Sequence, residues 1–263
     1  MKTNHKLSAL QILLAALCGV VLAVFRVRAG GAGQPFVLVC CAAAVVLLMA
    51  ARKLHTIRVA LSLKPLEADK FAFALLTLSG LLFIGTGALF FLLRDGAATS
   101  AILLCVFSVF AGLVTLARLS LRDRGQAAAI YALVPVFLLS LYVLLLYRSN
   151  GGNPYLSVFG CELAIVMLAL LGLYAAAAGR FEKARPRLLG FLCSLSGCLI
   201  TQELFYLVLD MEQLHRIPGF SAASALLLCA CGVLMCHALI YPPVREVFPV
   251  EKSENEAEDS AEA

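Results

Sequence analysis

The chain is predicted to fold as an all-α bundle of eight membrane-spanning helices, a polytopic membrane protein with both termini in the cytoplasm. Three observations carry this. Of the 263 residues, 62% are hydrophobic and only 14% charged, whereas soluble domains run at about half apolar and about a quarter charged. Mean hydropathy is +0.95, and the apolar residues sit in long uninterrupted runs. The basic residues are shared unequally between alternate loops. No polar segment is long enough for a separate soluble module, which excludes a large extramembrane catalytic domain.

The predicted spans are 7–25, 35–51, 71–93, 98–119, 126–147, 155–179, 187–209 and 220–241. Most match the ~20 residues a helix needs to cross the hydrocarbon core. The second is the shortest, and it gains length past Arg52 if that side chain snorkels. The first could be mistaken for a signal peptide because Lys2 and Lys6 precede it. Its apolar run is too long for an h-region and ends in Arg26-Val27-Arg28, so it is read as a span. The odd-numbered loops hold Arg26, Arg28, Arg94, Arg148 and Arg216, 5 of the 21 basic residues. The other 16 lie on the opposite side. The positive-inside rule then places that side, with both termini, in the cytoplasm.

Turn chemistry punctuates the runs. Gln34-Pro35, Asn153-Pro154 and Arg185-Pro186 open the second, sixth and seventh spans, because proline at a first helical position loses no hydrogen bond. Asp95-Gly96 makes a tight turn between the third and fourth. Pro135 lies inside the fifth span and should kink it, freeing a carbonyl one turn earlier. Pro242-Pro243 ends the eighth. Residues 52–64 mix basic and apolar positions and are expected at the cytoplasmic interface. Residues 1–248 thus form the transmembrane domain, and the acidic tail 249–263 is expected to be disordered.

A repeat is suggested within the membrane domain. Residues 28–35 resemble 148–154, Leu78-Ser79-Gly80 resembles Leu195-Ser196-Gly197, and 100–105 resembles 224–229. The similar offsets suggest two parallel halves, 7–119 and 126–241, an arrangement that several transporter folds use.

Glu162 and Glu203 are each the only acid in a long apolar run. With the N-terminus inside, both lie roughly 10 Å below the outer boundary at 1.5 Å per residue, on consecutive antiparallel helices. The first half of the suggested repeat carries no acid at either corresponding place. Ionised carboxylates at such depth are costly and tend to mark function. Burial disfavours ionisation, and a second carboxylate nearby disfavours it further. That is the setting of a proton relay or a cation site. Ser196, Glu203, Tyr206 and Asp210 share one face of the seventh span, with Gln202 beside it. Tyr131, Pro135 and Tyr142 share a face of the fifth. Tyr147, Arg148, Asn150 and Asn153 crowd the loop above Glu162. Together these outline a polar vestibule on the outer side.

The expected ligand- or proton-binding residues are therefore Glu162, Glu203, Gln202, Tyr206 and Tyr142. Glu203 is the expected titrating member, because its face carries the polar stripe. Arg26 and Arg148 are candidate ion-pair partners. The bland reading is that each glutamate simply ties two helices together, Glu162 through Arg26, Arg148 or a carbonyl exposed by Pro135. Tyrosines are also ordinary interface anchors.

All ten cysteines fall in spans, which gives no disulfide framework and reads as small apolar packing. Cys229, Cys231, Cys236 and His237 do not have a recognised metal-ligand spacing, and no metal or other cofactor is expected. No span contains lysine, so a retinal-type Schiff base has no attachment point. Nucleotide-binding and hydrolase motifs are absent, which makes an enzyme the weakest class. Two functions remain. One is transporter-like binding of a cation or protonatable small solute at the paired glutamates. The other is a sensor or assembly subunit that docks a protein partner or a second copy, its motivation being small residues such as Gly80, Gly85 and Gly87 and the basic 52–64 segment. The expected setting is the lipid bilayer of a prokaryotic plasma membrane, without a nucleic-acid partner.

Overall fold

The computed structural model describes residues 2–29, 33–60, 70–92, 99–120, 125–150, 156–181, 186–209 and 222–241. The Asp95-Gly96 turn, Asn153-Pro154, Asp210, Pro242-Pro243 and the acidic tail lie outside them. All regular structure among the described residues is helical: α1 Lys2–Arg28, α2 Gln34–Ala60, α3 Lys70–Leu92, α4 Thr99–Ser120, α5 Gly125–Tyr131, α6 Val134–Asn150, α7 Leu156–Arg180, α8 Pro186–Leu209 and α9 Ala222–Ile240. Among the described residues, eight spans are long and apolar enough to cross a membrane, with α5 and α6 together forming one of them. The protein is an integral, multi-pass membrane protein.

Two spans are refined by the structure. The second, read as 35–51 with an extension past Arg52 allowed, does extend, and α2 continues to Ala60. Nothing between 52 and 60 breaks a helix, and the Thr56 hydroxyl bonds back to the Arg52 carbonyl. The fifth span is interrupted rather than merely kinked. Pro135 has no N–H to give the Tyr131 carbonyl. The chain relaxes through a turn at Ala132–Leu133, where the Leu133 amide bonds to Ile130, three residues back.

Packing follows small residues. In α3, Gly80 and Gly87 meet α4, and Gly112 of α4 meets the Gly80 carbonyl and Ile84. A Cβ at any of the three would stand closer than 3.0 Å to a neighbour, so the two backbones approach as in small-residue membrane interfaces. Gly85 faces Leu226 of α9 instead. The glycines that suggested a docking face are thus occupied within the chain. The α9 helix is the central element, with 67% of its most apolar stretch buried, whereas α2 at the periphery has 17%. Ser79 of α3 donates to the Ala230 carbonyl of α9 at 3.0 Å.

The two halves of the chain interleave. Helix α1 packs on α8, and α3 packs on α9. The first of these pairs is parallel. Gln11 reaches Gly190 and Ser194, Gly19 lies against Cys198 and Gln202, and Arg26 reaches Glu203. Residue numbers climb together along both helices, which puts the ends of α1 and α8 at one end of the bundle.

Candidate functional site

Arg26, Tyr142, Glu162, Gln202, Glu203, Tyr206 and Ser224, all buried, gather where α1, α3, α6 and α8 finish and α2, α7 and α9 begin. Two clusters meet there. In the first, Arg26 of α1 and Glu203 of α8 form a salt bridge, both side chains almost fully buried. Tyr206, one turn beyond Glu203, lays its ring against the guanidinium, with Cζ 3.9 Å from the ring centroid. Phe36, at the start of α2, covers Arg26 from another direction at 5.7 Å. A guanidinium suits this setting because its flat, weakly hydrated face stacks on aromatic rings while its edge binds the carboxylate.

In the second cluster the Tyr142 hydroxyl of α6 donates to Glu162 of α7 at 3.0 Å. The same phenol oxygen lies 2.7 Å from the Ser224 hydroxyl of α9. With its one proton given to Glu162, the phenol oxygen accepts from Ser224. Phe90 of α3 flanks the Tyr142 ring at 6.3 Å between centroids. Glu162 makes no ion pair among the described residues. It is 8% exposed and Glu203 is 4% exposed, so both carboxyl groups are sealed in. Helices α7 and α8, which carry the two carboxyl groups, pack together.

The two clusters differ in one chemical respect. Glu203 has a fixed counter-charge and a stacked aromatic lid. Glu162 has neutral hydroxyl chemistry only. Gln202 is fully buried, and neither its amide oxygen nor its amide nitrogen has a hydrogen-bond partner among the described residues. That leaves one donor group and one acceptor uncommitted in the bundle interior.

The remaining expected residues are placed differently. Arg148 and Tyr147 are exposed and do not cover Glu162. Arg26 pairs with Glu203 and not with Glu162. The polar face of α8 is divided among neighbours, since Ser196 donates to the Leu168 carbonyl of α7 at 2.7 Å. Sequence reasoning did not single out Ser224, Phe36 or Phe90 for this site. Each sits within a few residues of a helix end, where a lone serine or phenylalanine carries no distinguishing pattern. All ten cysteines are free, and among the described residues no group of three His, Cys, Asp or Glu side chains converges as a metal site.

The opposite end has its own buried polar groups. Arg118 and His237 line a cavity of about 20 Å³ beside Ala132, at the break between α5 and α6. The His237 ring lies 5.4 Å from that of Tyr241. Arg118 falls near the inner end of the predicted fourth span, and it is buried.

Removing the Tyr142 hydroxyl tests how tightly the second cluster is built. Tyr142→Phe should cost about 0.6–1.7 kcal/mol, the range of interhelical side-chain hydrogen bonds in membranes. Reversible unfolding in mixed detergent–SDS micelles reads this directly. A loss well below that range would mean that Glu162 and Ser224 find each other without the phenol.

No protein-family model, curated protein or solved structure matches the chain.

Proposed function

We propose that this multi-pass protein handles a proton, or binds a small cationic or protonatable solute, at Glu162, in the manner of a transporter. One observation carries the reading. Of two buried carboxyl groups on neighbouring helices, Glu203 is neutralised by Arg26, and Glu162 is held only by a hydroxyl relay. A carboxyl group without a fixed counter-charge in a low-dielectric interior must take a proton or a cation to be neutral. The titrating role therefore passes from Glu203, the sequence-based choice, to Glu162. Tyr142 and Ser224 form the path by which a proton or ligand oxygen is held. Arg26 and Glu203 fix the neighbouring helices, and Gln202 offers an uncommitted amide. With the positive-inside orientation this end faces away from the cytoplasm.

A thermal-shift series across pH, with sodium, potassium and small organic amines as probes, tests it. The wild-type protein and the double variant Arg26→Leu with Glu203→Leu should shift with pH or cation, and Glu162→Gln should lose that response. A Glu162→Gln protein that responds like the wild type would end the proposal.

A second reading rests on the sealing of both carboxyl groups. A sensor or assembly subunit needs no open path to them, and the glutamates then act as ties between helices. In that case Glu162→Gln keeps the Tyr142 hydrogen bond and leaves every pH response unchanged.

A further inference from the structure

A groove of about 280 Å³ runs between α1, α8 and α9, partly open along its length. It shares α8 with the glutamate site but includes neither carboxylate. Its lining extends along α8 from Cys193 to Leu204 and along α9 from Cys229 to Leu239. At 1.5 Å rise per residue, that makes the groove about 15 Å long, parallel to the helices and at membrane depth.

Two glycines create it. A Cβ at Gly197 would meet nothing within 4 Å, and one at Gly232 would meet only an Ile200 methyl at 3.7 Å. Gly19, Gly80, Gly87 and Gly112, by contrast, are needed for close helix contact. The hydroxyl of Thr201, the one hydroxyl in the lining, already donates to the Gly197 carbonyl at 2.8 Å. The groove therefore asks for no polar partner. An occupant that matches its walls would gain dispersion contacts along three helices.

We propose that this groove is a resident site for one hydrocarbon chain of a bilayer lipid. Its length, its apolar lining and its place between three helices of membrane-spanning length fit an alkyl chain and not a compact polar solute. A phospholipid and a free fatty acid present the same chain, and their masses separate the two sources.

Native mass spectrometry after mild detergent extraction provides the test. The wild-type protein should retain one lipid per chain, and Gly197→Leu and Gly232→Leu, which fill the groove, should each reduce retention at least tenfold. Leu17→Phe, a change at an exposed residue of α1 outside the lining, should retain the lipid. A phospholipid mass or a fatty-acid mass identifies the source. Retention unchanged in the filled variants, or no retained lipid in the wild type, overturns the proposal. Should the filled variants not fold, wild-type protein in vesicles of phosphatidylcholine with a diazirine-bearing acyl chain gives an independent readout. Cross-links should concentrate at least tenfold in 193–204 and 229–239 over the exposed face of α2. Equal labelling of both regions overturns the proposal as well.

Discussion

Replacing Arg26 with leucine is expected to destabilise the protein by about 3–5 kcal/mol, the usual consequence of leaving one member of a buried ion pair without its partner. Both members are nearly free of solvent contact, so the stranded Glu203 carboxylate has no water to turn to. The Tyr206 ring loses its cation at the same time, a contact worth up to about 2 kcal/mol when desolvated. The pair itself need not add net stability, because removing both ions from water opposes their attraction. The double variant Arg26→Leu with Glu203→Leu should therefore recover most of the loss. Unfolding in mixed micelles across the full mutant cycle measures both quantities. A double variant as unstable as Arg26→Leu alone would show that packing around Arg26, and not the charge on Glu203, sets the cost.

Gly19→Val should produce the second large effect, for a steric reason with an electrostatic sequel. A Cβ at Gly19 would run into the Cys198 carbonyl oxygen and stand 2.8 Å from the Thr201 Cβ. A helix carbonyl cannot swing away, so α1 must separate from α8. Overpacking of this kind costs about 1–3 kcal/mol. Arg26 lies seven residues further along the same helix, about 10 Å away, and the separation should loosen its hold on Glu203. Gly19→Val and Arg26→Leu should then be non-additive, the second change costing less in the presence of the first. Gly160→Ala is the control. It has nothing within 4 Å of the new methyl, and its helix should gain up to about 1 kcal/mol from the better helix former. Additive losses for the Gly19 and Arg26 changes would uncouple the helix contact from the salt bridge.

Much of this architecture was legible in the amino-acid order. The spans follow from the lengths of the apolar runs, and proline marks three of their starts. A disturbance of the fifth span follows from the missing N–H of Pro135, although the sequence predicted a kink there and not a break. The two glutamates were visible because a lone acid in apolar sequence has no ordinary reason to be there. Their partners were not legible. Arg26 looked like a flanking basic residue, and Ser224 looked like any serine near a helix start. Gly19, Gly160 and Gly197 are indistinguishable as letters, yet one is a contact point, one faces open space and one shapes a groove.

The sequence by itself determined that eight apolar helices cross a membrane and that two carboxyl groups lie inside it. Each follows from composition along a single segment, which the bilayer reads one helix at a time. Only the tertiary structure decided that Arg26 neutralises Glu203 and leaves Glu162 to the hydroxyls of Tyr142 and Ser224. In a membrane both the lipid-facing and the protein-facing sides of a helix are apolar, so hydrophobic periodicity does not say which helix meets which. That choice is made by close contact at small residues such as Gly19. It becomes visible only once α1 and α8 lie side by side.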